Sequence, residues 1–141
     1  MAGTVTDTYA AALQHDLFDG DGTLVGVVRR PPGWFAALVA ENHRALGPPE
    51  PLLEETNERA EALKLDGMCE EGAHNAAWEV CEFERRYRDH LESDSAAGEA
   101  FTALRDRVRA GEDVTLVCFE GENKRCHRRV LAGQLRKAVI D

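Results

Sequence analysis

No run of apolar residues in this 141-residue sequence approaches the roughly 20 needed to cross a bilayer. Its first residues, MAGTVTDTYAAALQ, lack the basic, apolar and small-residue succession of a secretory signal. The expected setting is therefore cytoplasmic, with no membrane partner. Lysine is scarce, since Lys64, Lys124 and Lys137 are the only three, and almost all of the 17 basic residues are arginine. Against 26 acidic residues they leave a formal charge of −9. Such a balance disfavours non-specific nucleic-acid binding, because phosphate contacts need a basic surface, although a local arginine cluster can still hold one phosphate. An acidic, lysine-poor surface also suits molar salt, where self-repulsion is screened within about 3 Å. A halophilic protein and an ordinary acidic cytosolic one are the two readings.

Paired-cysteine spacing is missing too. Cys69, Cys81, Cys118 and Cys126 form no CxxC, which removes the usual zinc-ribbon and thioredoxin signatures. In an intracellular chain of this size they read as thiols rather than disulfides. The acidic FDGDGT segment at residues 18–23 lacks the EF-hand spacing and its closing Glu, so it reads as a solvated loop.

What is present points to one α/β domain over residues 1–141. With 43% hydrophobic content the chain can bury one sizeable core. Thr4 to Tyr9 alternates like a short strand and leads into a helical piece, Ala10 to Leu17. Leu24 to Val28 (LVGVV) is a continuous apolar run of the kind found in a strand covered on both faces, and Pro31 and Pro32 stop it. Helical spacing then predicts a helix over Gly33 to Leu46, with His43 exposed near its end, and a second over Pro51 to Leu65. Ala76, Val80, Phe83, Tyr87 and Leu91 step by 4, 3, 4 and 4 and predict one continuous helix, with Cys81 as core filler. Ala97, Phe101, Leu104 and Val108 predict another, whose Arg105, Arg107 and Arg109 form a salt-bridging outer face. The architecture expected is three-layered, a small and mainly parallel sheet flanked by helices.

Chemistry concentrates in Val114 to Ile140, read as a buried strand, a charged turn and a helix. Cys118 ends the strand, Glu120 follows it, and Cys126, His127 and Arg128 stand at the mouth of the helix. His127 heads the helix stripe continued by Leu131 and Leu135, so it faces the strand end. A helix N-terminus favours an anion and lowers the pKa of a nearby thiol, and here Cys126 has Arg125 and Arg128 beside it. Arg29 and Arg30 follow the LVGVV strand, where open α/β sheets place ligands. Their alternative is pairing with some of the many carboxylates. Cys69, His74 and Asn75 lie in or beside a turn before a helix and either point into a cleft or merely cap and pack.

Three readings of this constellation stay open. In the first, Cys126 or Cys118 is a nucleophile with His127 as proton partner and Glu120 as acid or base, while Arg29, Arg30 and Arg128 hold an anionic small molecule or nucleotide. The second makes Cys118, Cys126 and His127 zinc ligands, with Cys69 or His74 completing the set. In the third the cysteines are core thiols, His127 is a buried imidazole and Glu120 pairs with Arg128. A thiol phosphatase would have Arg six positions after its Cys. Position 124 is Lys here, and Gly121 is the loop's only glycine.

The CxE of Cys118 and Glu120, followed by Cys126, His127 and Arg128, resembles the C-terminal motif of the DUF488 family. Trp78, Phe83, Tyr87, Leu91, Leu104 and VTLV look like its YeaO-type branch, and Leu24 to Pro32 is similar to the family's N-terminal strand ending in arginine. LGPPEPLL resembles the segment after the first long helix. YeaO-type members tend to carry a polar, cysteine-poor turn where this chain has CHR, so it mixes features of two branches. The resemblance implies an α/β fold and brings no stated activity or cofactor with it.

Overall fold

A computed structural model describes residues 1–141. Four strands, β1 (Val5–Tyr9), β2 (Thr23–Gly26), β3 (Glu41–Asn42) and β4 (Val114–Cys118), form one parallel sheet in the order β1-β4-β2-β3. Six helices accompany it: α1 (Ala10–Gln14), α2 (Glu50–Leu65), α3 (Glu70–Val80), α4 (Phe83–Ser93), α5 (Ser95–Arg109) and α6 (His127–Ile140). The strand β4 is central and all five of its residues are buried. That is why VTLVC reads as an unbroken apolar run rather than an alternating one.

Parallel register puts Asp7 beside Leu116 and Tyr9 beside Cys118. By the two-residue period of a strand, Val5, Asp7, Tyr9, Leu116, Cys118 and Val25 share one face. Helix α6 lies against that face, with α4 and α5 packed on α6, and Leu104, Val108, Leu131 and Leu135 are fully buried there. The opposite face is covered more thinly. Asp21 accepts a hydrogen bond from Thr115 Oγ1 at 3.2 Å, and the Phe35 ring sits where a Cβ on Gly26 would lie, 2.5 Å from it. The α/β domain, a small parallel sheet accompanied by helices, is as expected.

Two helices predicted from periodicity are broken. Residues 33–46 form two short 3-10 turns, Gly33–Ala37 and Arg44–Leu46, around the edge strand β3. Phe35 is buried against Gly26, whereas Trp34 is 49% exposed. Asn42 in β3 hydrogen-bonds both the N–H and the C=O of Val28, at 3.0 Å each, and so continues the sheet to the residue before Arg29. The sequence 76–91 is split into α3 and α4 at Glu82, whose φ of 52° is left-handed. Across that corner Trp78 stacks on Phe83 with ring centroids 4.0 Å apart. A stripe with steps of three and four survives one left-handed residue, so periodicity cannot detect the break. Helix α5 agrees with expectation, with Asp94 as its N-cap accepting from Ala97 N–H. Arg105 pairs with Asp106 and Arg107 with Glu112 and Glu41, as expected of a salt-bridging face, whereas Arg109 donates to the Ala138 carbonyl instead.

Candidate active site

Helices α2 and α3 stand over the C-terminal ends of β2 and β4 and enclose a cavity of about 150 Å³. Seven residues singled out in the sequence line it: Arg29, Arg30, His74, Cys118, Glu120, Cys126 and His127. Apolar walls come from Trp78, Phe83 and Phe119, and Thr56 and Asn57 face it from α2. Cys118, Cys126 and His127 are nearly sealed in protein, while Phe119 and Arg30 are exposed at its edge.

Cys118 and Cys126 meet. Their Sγ atoms are in bonding contact and form a disulfide, which corrects the expectation of four separate thiols. A parallel strand delivers Cys118 at its C-terminal end, and the short turn that follows returns the chain to the start of α6, where Cys126 is the N-cap. Spacing rules built on CxxC miss a pair eight residues apart. Cys69 and Cys81 stay free, Cys69 exposed at the N-cap of α3 and Cys81 buried at its end.

His127 is fixed by its second nitrogen. Nε2 lies 2.6 Å from the Val27 carbonyl oxygen, an acceptor only, so Nε2 carries the proton. Nδ1 then presents its lone pair to Cys126 Sγ at 3.6 Å. Burial pushes the imidazole pKa down to about 4 from 6.5, with the neighbouring Arg128 and Arg29 charges adding to the shift against the Val27 bond. A neutral imidazole with so low a pKa accepts a hydrogen bond from a thiol and is a weak base for removing its proton.

Arg128 is 1% exposed and does not line the cavity. Its guanidinium donates to Asp7 Oδ1 at 3.1 Å, to the Glu120 carbonyl at 2.5 Å and to Cys118 Sγ at 3.4 Å, with the Tyr9 ring 5.7 Å away. The Glu120 carboxylate faces Lys124 at 3.8 Å instead, so the predicted Glu120–Arg128 pair is a backbone contact. Arg128 therefore sits behind the sulfur rather than in front of a ligand. A buried cation donating to sulfur favours the thiolate.

The two strand-end arginines differ. Arg30 is bound by Glu50 and Glu54 at the surface. Arg29 donates to the carbonyls of Pro48, Gly47 and Ala45 and lies 3.2 Å from His90 Nε2, with no carboxylate in ion-pair range and its Nη1 without a protein partner. Partial burial lowers its pKa, offset by more distant Asp94. Neutral carbonyls hold the group in place but leave its charge uncompensated.

His74 and Asn75 lie inside α3, not before it. Asn75 donates to the Asn123 carbonyl at 3.0 Å and accepts from Arg125 N–H at 2.9 Å, while His74 Nε2 is 2.7 Å from the Arg125 carbonyl oxygen. Together they clamp the turn that carries Cys126. Cys69 accepts from Gly72 N–H and stays outside the cavity. Sequence reasoning overlooked Asp7, which partners Arg128, and the carbonyl of Val27, which sets the His127 tautomer. A lone Asp in an alternating strand carries no motif, and a backbone carbonyl leaves no mark in sequence.

The DUF488-N3a family model, described as the active DUF488-N3 subclade, matches residues 8–139. The chain belongs to that family. Its match spans every element from β1 into α6, so the strand-end cysteine and the helix-mouth CHR of this DUF488-N3a protein both fall within it. No curated protein and no solved structure matches the chain.

Proposed function

We propose that this DUF488-N3a protein is a small thiol-dependent enzyme acting on an anionic small molecule, with Cys118 as the attacking group. The observation that carries the reading is the single cavity lined by Cys118, Cys126, His127, Glu120 and the charge-uncompensated Arg29. Arg128 holds the Cys118 sulfur as thiolate from behind, Arg29 Nη1 binds the anion from in front, and half-buried Glu120 supplies or takes the proton. In the reduced protein His127 Nδ1, 3.6 Å from Cys126 Sγ, is placed to accept a hydrogen bond from the Cys126 thiol. At about 150 Å³ the cavity suits one charged group and a short or flat body, so a nucleotide enters with only part of itself. The name of the family model, the active subclade, agrees with catalysis.

Iodoacetamide labelling of the reduced protein tests this. Cys118 is expected to alkylate readily at about pH 7 and to be protected by inorganic phosphate or a nucleoside monophosphate, with protection lost in Arg29→Met. Labelling that appears only after denaturation would overturn it.

A second reading has its own observation. Cys118, Cys126 and His127 offer ligand atoms within 4.8 Å of one another, and a His whose far N–H donates to a carbonyl is oriented as metal-bound histidines are. Stoichiometric zinc in the reduced protein would favour a metal site over a free attacking thiolate, and its absence would end that reading.

A further inference from the structure

We infer that Cys126 is the resolving partner of Cys118, so that a peroxide-class oxidant closes the cavity thiols into a reversible disulfide that switches the attacking sulfur off. The inference rests on the reading of Cys118 as the reactive thiol and adds its regulation. Three observations carry it. The two sulfurs are already in bonding contact, whereas neither Cys69 nor Cys81 lines the cavity, so only Cys126 can reach Cys118. The environments of the pair are unequal. Cys118 Sγ receives an N–H from buried Arg128, which favours the thiolate at that sulfur once the bridge is reduced, while Cys126 Sγ faces the neutral Nδ1 of His127, which can take up its S–H in the reduced pair. Both sulfurs are almost sealed from bulk water yet border a cavity large enough for an oxidant of water-like size.

The steps balance. The Cys118 thiolate attacks one oxygen of hydrogen peroxide, the O–O bond breaks, and hydroxide leaves to give sulfenic acid after proton transfer. The Cys126 sulfur then attacks Cys118 Sγ, its proton passes to the departing oxygen, and one water leaves as the S–S bond forms. Cys118 is not carried on to the irreversible sulfinic acid. Return needs two electrons and two protons, which a small dithiol such as dithiothreitol provides by exchange. The bridge ties the end of β4 to the first residue before α6, across a turn that Asn75 and His74 already hold.

The experiment treats the reduced full-length protein with hydrogen peroxide, removes it, and maps the cysteines by mass spectrometry with and without dithiothreitol. Wild type is expected to give a peptide linking Cys118 to Cys126, to lose iodoacetamide labelling of Cys118, and to regain it fully on reduction. In Cys126→Ser, labelling is expected to be lost without recovery, with Cys118 as sulfinic acid. Circular dichroism of that variant checks that it folds, and Cys81→Ser serves as a control that leaves recovery intact. Equal irreversible loss in wild type and Cys126→Ser would overturn the switch, as would a bridge to Cys69 or Cys81. If Cys118 of the reduced protein labels readily but never bridges, the switch fails while the thiol enzyme stands. Should the bridge form although reduced Cys118 is inert to iodoacetamide, the enzyme reading fails instead.

Discussion

Protonating His127 should loosen the fold, and the size of the effect follows from its surroundings. The imidazole is buried, its Nε2–H is committed to Val27, and Arg128 and Arg29 lie close enough to oppose a positive charge. Its pKa drops from 6.5 to about 4. Between those values the unfolded chain binds a proton that the folded one refuses, so stability rises with pH in this window. It is fully present above about 6.5 and is lost as the pH falls toward about 4. A gap of about 2.5 units at about 1.4 kcal/mol each sets the loss near 3.5 kcal/mol. The assay is urea unfolding at intervals across that range, for wild type and for His127→Gln, whose side-chain amide can keep the bond to Val27. Carboxylates and the other four histidines titrate in both proteins, so the difference between the two curves isolates His127. The variant is expected to be less stable near neutrality and to lose about 3.5 kcal/mol less on acidification. Parallel curves would refute the assignment of a buried neutral imidazole.

Other consequences are equally open to measurement. Arg128→Met leaves Asp7 without its partner and the Glu120 carbonyl without a donor, and should cost about 3 kcal/mol in denaturant unfolding, the low end for a broken buried pair because Asp7 is partly exposed. If the variant remains folded, iodoacetamide labelling of Cys118 should move to higher pH, and an unchanged profile would remove Arg128 from control of the thiol. Asn75→Ala deletes two hydrogen bonds to the turn at 123–125 and should cost about 1–2 kcal/mol, with faster hydrogen exchange confined to residues 121–126. For the salt-adapted reading of the −9 charge, Tm should rise as KCl goes from millimolar into the molar range, and a fall would mark an ordinary acidic protein.

What could be read from the residues follows a physical line. Val114–Cys118 and α6 were legible because a strand covered on both faces leaves an apolar run, and a helix packed on one side leaves a stripe at steps of three and four. The length of α2 was legible for similar reasons, with prolines before it fixing its start. Residues 33–46 were not, since Phe35 is buried against Gly26 on the preceding strand and Leu46 is held by Tyr87, 41 residues further on. Tyr87 Oη donates to the Leu46 carbonyl at 2.5 Å, and that bond together with the Phe35 packing holds the segment in short turns rather than a helix.

The sequence by itself determined where Cys, His, Glu and Arg gather in this DUF488-N3a protein, on either side of one strand-to-helix turn. Tertiary structure decided what each of them touches. It turned Arg128 away from the cavity toward Asp7 and left Arg29 without a counter-charge. It also held His127 neutral and brought together two cysteines eight residues apart. Those outcomes depend on which carbonyl, carboxylate or sulfur the parallel sheet places within hydrogen-bond reach. Partners separated by up to 121 residues leave no local pattern for a sequence to reveal.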